Sequence, residues 1–404
     1  MQNDIGLENK NIWANRSFIT LYGTAFFVNM GVKIYALALP LLVYELTRST
    51  EVMGWVRAIE FIPHIFLAAI IGVVVDRFNK KNWSLVMLLG QVFILAITWL
   101  SVSYLRNPLW LLIPCVFLMM ALDNAYNNAR MTMIKQVIPL YQLNIATARM
   151  GGLYSFFDAV GPVMAGGIFL FSSIQNSFLV VIALIIFSAL VLLRLDYHEV
   201  IDTNHPPILT SLASGWKILR ENRPMWLISL AIMFLNATGS VFTLQIIFFA
   251  KDTLTLSDSY VGYLFALTGL GGVVGSVLSD KLRLKIGLGR LFIYTIALEA
   301  LGFIAVAIFP TTLSLALSLF WTSTIGIMTS ICVWTYRQEA FEKNVMGRIT
   351  GITGMISKVG MPVSLVLSGY IVNLTGTATI FLICALVQIG VALAIWCSPV
   401  RQLS

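Results

Sequence analysis

Apolar runs of twenty residues or more recur about twelve times along this 404-residue chain, each ended by a short charged or Pro/Gly break. A segment of that length and composition is suited to crossing a bilayer, and within lipid its backbone polar groups must bond to one another. An all-α integral membrane protein follows. The runs lie near 17–46, 52–75, 83–105, 109–134, 143–171 and 175–194, then near 225–250, 258–279, 290–309, 313–336, 350–373 and 377–398. Residues 195–223 between the two sets form the longest polar stretch. Pro206 and Pro207 interrupt it, and Ser211 to Asn222 has the pattern of a short amphipathic helix on the membrane surface.

Composition agrees: 58% of residues are hydrophobic and only 11% charged, against about 25% charged in soluble domains. The net charge of +8 suggests a nucleic-acid partner until the charges are placed. Of 26 Lys and Arg, three (Arg48, Arg106 and Lys251) fall on loops assigned outside, and Lys33, Arg57 and Lys358 lie inside apolar runs. The rest cluster at ends on the other side. That is the positive-inside pattern, and it puts both termini in the cytoplasm. No nucleic-acid partner is expected. The first 15 residues lack a basic segment followed by a cleavable apolar stretch. Cys115, Cys332, Cys384 and Cys397 show no paired spacing, so neither a disulfide framework nor a metal site is expected, and no cofactor is implied.

The two sets of runs resemble each other. Asn15-Arg16 and Asn222-Arg223 are offset by 207 residues, and the same offset carries Asn29 onto Asn236. Internal symmetry of this kind marks two six-helix halves with a site between them near the midplane. The second run of each half closes on a charged break: Gly72-x3-Asp76-Arg77-x2-Lys80-Lys81 in the first, Ser276-x3-Asp280-Lys281-x-Arg283-x-Lys285 in the second. The first of these resembles the short loop between helices two and three of major facilitator superfamily transporters. Gly161-Pro162-Val-Met-Ala-Gly166-Gly167 resembles the Gly-Pro-rich motif in the fifth helix of drug-exporting facilitators, with one extra residue before Gly166 and Phe157 where glycine is usual. Ala36-Leu-Ala-Leu-Pro-Leu-Leu-Val-Tyr-Glu-Leu-Thr, Asn128-Ala-Arg-Met and Gly347-Arg348 are similar to the macrolide-efflux and enterobactin-exporter branch.

The resemblance implies twelve transmembrane helices in two pseudo-symmetric six-helix bundles: residues 1–194, a cytoplasmic linker at 195–223, and residues 224–404. It implies a cytoplasmic gate at Gly72, Asp76 and Arg77 with Arg130 and Asp280. It also implies a cavity lined by spans 1, 2, 4, 5, 7, 8, 10 and 11, which leaves Glu299 of the ninth span at the periphery.

Ionisable residues inside spans are expensive in lipid and usually face a partner or a water-filled cavity. Arg57, Glu60 and His64 share a helix face at i, i+3, i+7, and Asp123, Asn127 and Arg130 do the same in the fourth span, with Asn124 alongside. A carboxyl withdrawn from bulk water can take and release a proton during a transport cycle, so Glu60, Asp123 and Asp158 are candidate proton carriers. His64 joins them because imidazole titrates near neutral pH. Lys33, Arg57, Asn124, Asn127 and Lys358 are candidate substrate contacts, and the three cations tilt the expectation towards a solute carrying carboxylates.

The resulting expectation is a monomeric transporter in a bacterial inner membrane, surrounded by lipid, that exports a small amphipathic or chelating solute (a drug or siderophore) by proton antiport. The alternatives are proton-coupled uptake and, less favoured, a lipid flippase or an intramembrane enzyme. Gly-x-Ser-x-Gly, His-Glu-x-x-His and P-loop patterns are absent from the sequence.

Overall fold

The computed structural model describes residues 11–67, 71, 75, 78–197 and 208–403. Its elements are α1 (Arg16–Thr47), α2 (Thr50–Ile62, continued by a π-helical turn, Pro63–Leu67), α3 (Lys80–Tyr104), α4 (Leu109–Val137), α5 (Leu140–Phe171), α6 (Ile174–Leu193) and α7 (Ile208–Glu221). They continue as α8 (Arg223–Asp252), α9 (Asp258–Ile286), α10 (Leu288–Ile308), α11 (Thr312–Ala340), α12 (Lys343–Thr375) and α13 (Thr377–Trp396). Eleven of these helices are long and apolar enough to cross a membrane, and α2, the second span, is described as far as Leu67. Large apolar side chains such as Trp110, Phe171 and Leu374 stand almost fully exposed on the outer faces. In water such exposure would be a liability; in lipid it is the expected outer surface.

The sequence repeat acquires a local physical meaning at the start of α1 and α8. Asn15 Oδ1 accepts the Phe18 N–H at 3.1 Å, and Asn222 Oδ1 accepts the Met225 N–H at 3.0 Å. Each asparagine satisfies one of the free amides that any helix N-terminus leaves. The offset of 207 therefore repeats a helix cap.

Two compact units emerge: residues 1–39 with 62–205, and residues 40–61 with 206–404. Helix α1 belongs to the first unit up to Leu39 and to the second from Pro40 onward. In the first unit α3 packs on α4 and α6, and Phe18, Leu21, Tyr126, Phe157 and Phe178 are fully buried. Lys81 closes the C-terminal end of α6, its Nζ donating to the Leu193 and Leu195 carbonyls at 3.0 and 2.7 Å. A cation there also complements the helix dipole.

In the second unit α9 lies directly on α11. Gly271 and Gly275, one turn apart, face the Phe320 and Thr324 backbone carbonyls with no room for a Cβ, the close approach that small residues permit between membrane helices. A buried polar chain runs from Thr50 Oγ1 to Gln245 Oε1 (2.8 Å) and from Gln245 Nε2 to Ser368 Oγ (2.9 Å), tying α2, α8 and α12. Helix α7 covers most of the expected amphipathic stretch and packs on α12. Its apolar face rests on protein: Leu219 is fully buried, and Gly215 sits against Ile352 and Arg348 of α12.

Candidate functional site

The charges inside the spans are mostly taken by one another. In the first unit Lys33 of α1 forms an ion pair with Asp158 of α5. Gly161 makes room for it, since a Cβ there would stand 2.5 Å from Lys33 Cβ. This accounts for one glycine of the Gly161-Pro162 motif; around Gly167 there is open space. On α4, Asp123 Oδ2 accepts from Asn127 Nδ2 at 3.0 Å, and Asn127 Oδ1 accepts from Arg130 Nη2 at 2.8 Å. The expected shared face is therefore a continuous hydrogen-bonded chain. Asp123 and Arg130 are buried, and the guanidinium lies over the rings of Tyr126 and Tyr154. Asp123 Oδ1 has no donor among the described residues. Asn124 Nδ2 donates to the Pro63 carbonyl at 3.4 Å, at the start of the π turn.

In the second unit Arg57 Nη1 meets Glu60 Oε2 at 2.5 Å, with Glu60 only 3% exposed. His64 lies within the π turn at Pro63–Leu67, whose wider i→i+5 pitch ends the α-helical count on which its shared face was based. Lys358 is half-buried on α12, without an ion pair among the described residues. Gly72, Asp76 and Arg77 lie outside the described residues. The second charged break is no loop: α9 runs through Asp280, Lys281 and Arg283 and stops only at Gly287, whose φ of 83° ends the helix. Asp280 is exposed, and Arg283 pairs instead with Glu339 at 3.2 Å.

A cavity of about 540 Å³ opens inside the second unit, within the range of small-molecule sites. Arg57 and Phe61 of α2 line it, with Asn236 of α8, Thr268 of α9, Glu299 of α10 and Ser323 of α11. Among the predicted site residues only Arg57 lines it. Glu299, set aside as peripheral, stands on its wall with Gly326 of the facing helix opposite; a Cβ at Gly326 would be in ordinary contact with Glu299 Oε1, at 3.8 Å. A carboxylate in the middle of an apolar run was the available signal; helix-by-helix assignment of the cavity from the resemblance overrode it.

A second cavity of about 290 Å³ shares Ile232, Asn236 and Ser330 with the first and includes Arg337. Arg337 is buried beside the Trp334 ring, and its Nε has no acceptor among the described residues. Arg337 follows Arg130 by 207 residues, so the repeat that linked the caps could have found it.

Long apolar helices that hold ion pairs and polar cavities among themselves define a polytopic membrane protein equipped to handle polar solutes. The chain belongs to the Major Facilitator Superfamily, which it matches over residues 21–365, and it is a transporter of that family. It is 22% identical over 345 residues to the MFS-type transporter YvqJ of Bacillus subtilis (strain 168), covering 82% of this chain and 80% of that one. It is 21% identical over 422 residues to Macrolide efflux protein A of Streptococcus pyogenes, covering 99% and 98%. Among solved structures, nucleoside transporter NupG superimposes with a TM-score of 0.74 at 17% identity, over 94% of this chain and 98% of the other. A bacterial homologue of the iron transporter ferroportin, in its inward-facing state, gives 0.73 at 13% identity over 96% and 100%. These likenesses establish the fold.

Proposed function

We propose that this transporter exports a small amphipathic solute from a bacterial cell in exchange for protons, as a monomer in the cytoplasmic membrane with both termini inside. The end-to-end similarity to Macrolide efflux protein A carries the direction, and the Gly161-Pro162 motif agrees with it. The partly aromatic, hydroxyl-rich cavity with Arg57 on its wall suits a solute with both apolar and polar parts. The tilt towards a carboxylate-bearing chelator loses its basis at two of its three cations, because Lys33 and Arg57 are each paired with a carboxylate. Asp123 and Glu60 serve as the proton carriers of this cycle: both are buried, and both are bonded to groups that can be recruited elsewhere when a proton arrives.

Everted membrane vesicles test the reading. Respiration acidifies their lumen, so an exporter of this kind releases lumenal protons when solute is added outside. Ethidium and erythromycin, as amphipathic probes, should each collapse part of the acridine-orange quench in vesicles containing the protein. Proton-driven accumulation in intact cells, or an undisturbed quench over a broad panel of amphipathic solutes, would overturn it.

A further inference from the structure

The structure assigns to Glu299 a site at which one proton and the cationic group of an amphipathic solute compete, in the cavity of the second unit. The inference deepens the export reading and rests on it for the solute's relevance. The geometry stands independently.

Glu299 is on the cavity wall, and the other charged group among the described residues that line it, Arg57, is already held by Glu60 at 2.5 Å. With its pair satisfied, the wall presents one uncompensated carboxylate amid Phe61, Phe265 and Phe303 and the hydroxyls of Thr268 and Ser323. An unpaired carboxylate away from bulk water is resolved by a proton or by a cation. Aromatic faces beside it favour an organic cation.

The second observation comes from α13, on which α10 packs. Glu299 lies within polar reach of Gln388, a fully buried amide. Gln388 Nε2 also donates to Thr238 Oγ1 at 3.2 Å, while Gln388 Oε1 has no donor among the described residues. A protonated Glu299 supplies the O–H donor that this acceptor lacks; an ionised one needs the amide N–H. The pair can therefore serve both forms of the carboxyl through Gln388.

Among the described residues, the helices packed on α10 place no second carboxylate beside Glu299; Glu60 of α2 is held by Arg57, and Lys358 of α12 is one turn from Met361 on the same wall. From α13 the nearest titratable type is the buried thiol of Cys384. From α11 they are Cys332, Tyr336, Arg337 and Glu339. Arg337 follows Gly326, the residue facing Glu299, by eleven residues, or about 16 Å along the helix. On α9 the charged residues are Asp258 at its first position, paired with Lys251, and Asp280, Lys281, Arg283 and Lys285 in its last two turns. Arg401 belongs to the C-terminal 3-10 turn against the other end of α10.

Binding of tetraphenylphosphonium to the purified full-length protein in detergent tests this, with the isosteric anion tetraphenylborate as the control. The cation should bind and the anion should not. Affinity for the cation should fall as pH falls, by about tenfold per pH unit on the acid side, the slope of one competing proton. Binding in weakly buffered solution should release about one proton per cation bound. Glu299→Gln should weaken binding at high pH by at least about tenfold and flatten its pH dependence, and Glu299→Asp should restore the slope. If Glu299→Gln does not yield a monodisperse protein, the proton count on the wild type and the Glu299→Asp profile decide. Equal affinity for both probes, binding without proton release, or an unchanged slope in Glu299→Gln would each overturn the assignment. Proton-linked cation binding without proton-driven transport would sink the export reading and leave the site. Proton-driven transport without proton-linked binding would do the reverse.

Discussion

At the scale of single residues, the spans show that an ionisable side chain is informative only together with its partner. Breaking the Arg57–Glu60 pair from one side leaves a buried charge alone, typically costing about 3–5 kcal/mol, whereas replacing both partners by apolar groups of similar size is often tolerated. We therefore expect the double variant Arg57→Met/Glu60→Met to unfold in detergent at a higher temperature than Arg57→Met or Glu60→Gln alone. Thermal denaturation monitored by tryptophan fluorescence checks this order. The Lys33–Asp158 pair is more exposed, at 33% and 62% of the side chains, and its contribution is correspondingly small. Its packing matters more. Gly161→Ala places a Cβ where Lys33 already is, an overpacking worth about 1–3 kcal/mol, while Gly167→Ala enters open space and should leave the melting temperature unchanged. For coupling, Glu60→Gln and Asp123→Asn should each reduce transport against a gradient while sparing downhill exchange. Normal concentrative transport by both variants in proteoliposomes would move the proton to another carboxyl.

At the scale of elements, the α9–α11 contact is the one most sensitive to side-chain volume. The backbone carbonyls of Phe320 and Thr324 occupy the space that a side chain at Gly271 or Gly275 would need, and carbonyls in a helix cannot rotate away. Gly275→Leu should therefore lower stability by at least about 1–3 kcal/mol, and a melting curve within 1 °C of wild type, taken here as roughly measurement error, would contradict this. Gly272, in ordinary contact with Ile327 and Ser323 side chains, should accept alanine. The same element explains why the charged break after the eighth apolar run is helical. Lys and Arg are good helix formers, so the helix continues beyond the apolar run until Gly287 stops it. Where lipid ends is written in the hydropathy; where the helix ends is written in its cap.

At the scale of the whole molecule, the distribution of Lys and Arg predicts that residues 80 and 283 are on the cytoplasmic side. With the four cysteines replaced, a single cysteine at position 283, which is partly exposed whereas Lys80 is buried, should react with a membrane-impermeant maleimide in everted vesicles and not in intact cells. Reaction from outside would reject the orientation. Much of this level was legible beforehand. Hydrophobic run length and helix-internal backbone bonding leave few choices, so the helices fall within a few residues of the apolar runs at most ends; apart from the second span, whose last part is not fully among the described residues, the largest departures, of seven residues each, are at the end of α9 and the start of α12. The offset of 207 correctly aligned the capping asparagines, because a cap is a local interaction between residues three apart. The i, i+4, i+7 chain Asp123–Asn127–Arg130 was legible for the same reason. What required the tertiary structure was every choice made across helices: that Lys33 meets Asp158, that α7 packs on α12, and that Glu299 stands on a cavity wall. Periodicity gives the face of a residue on its own helix. It carries no information about which neighbour that face meets, and that decides which charge inside a span is paired and which is left available.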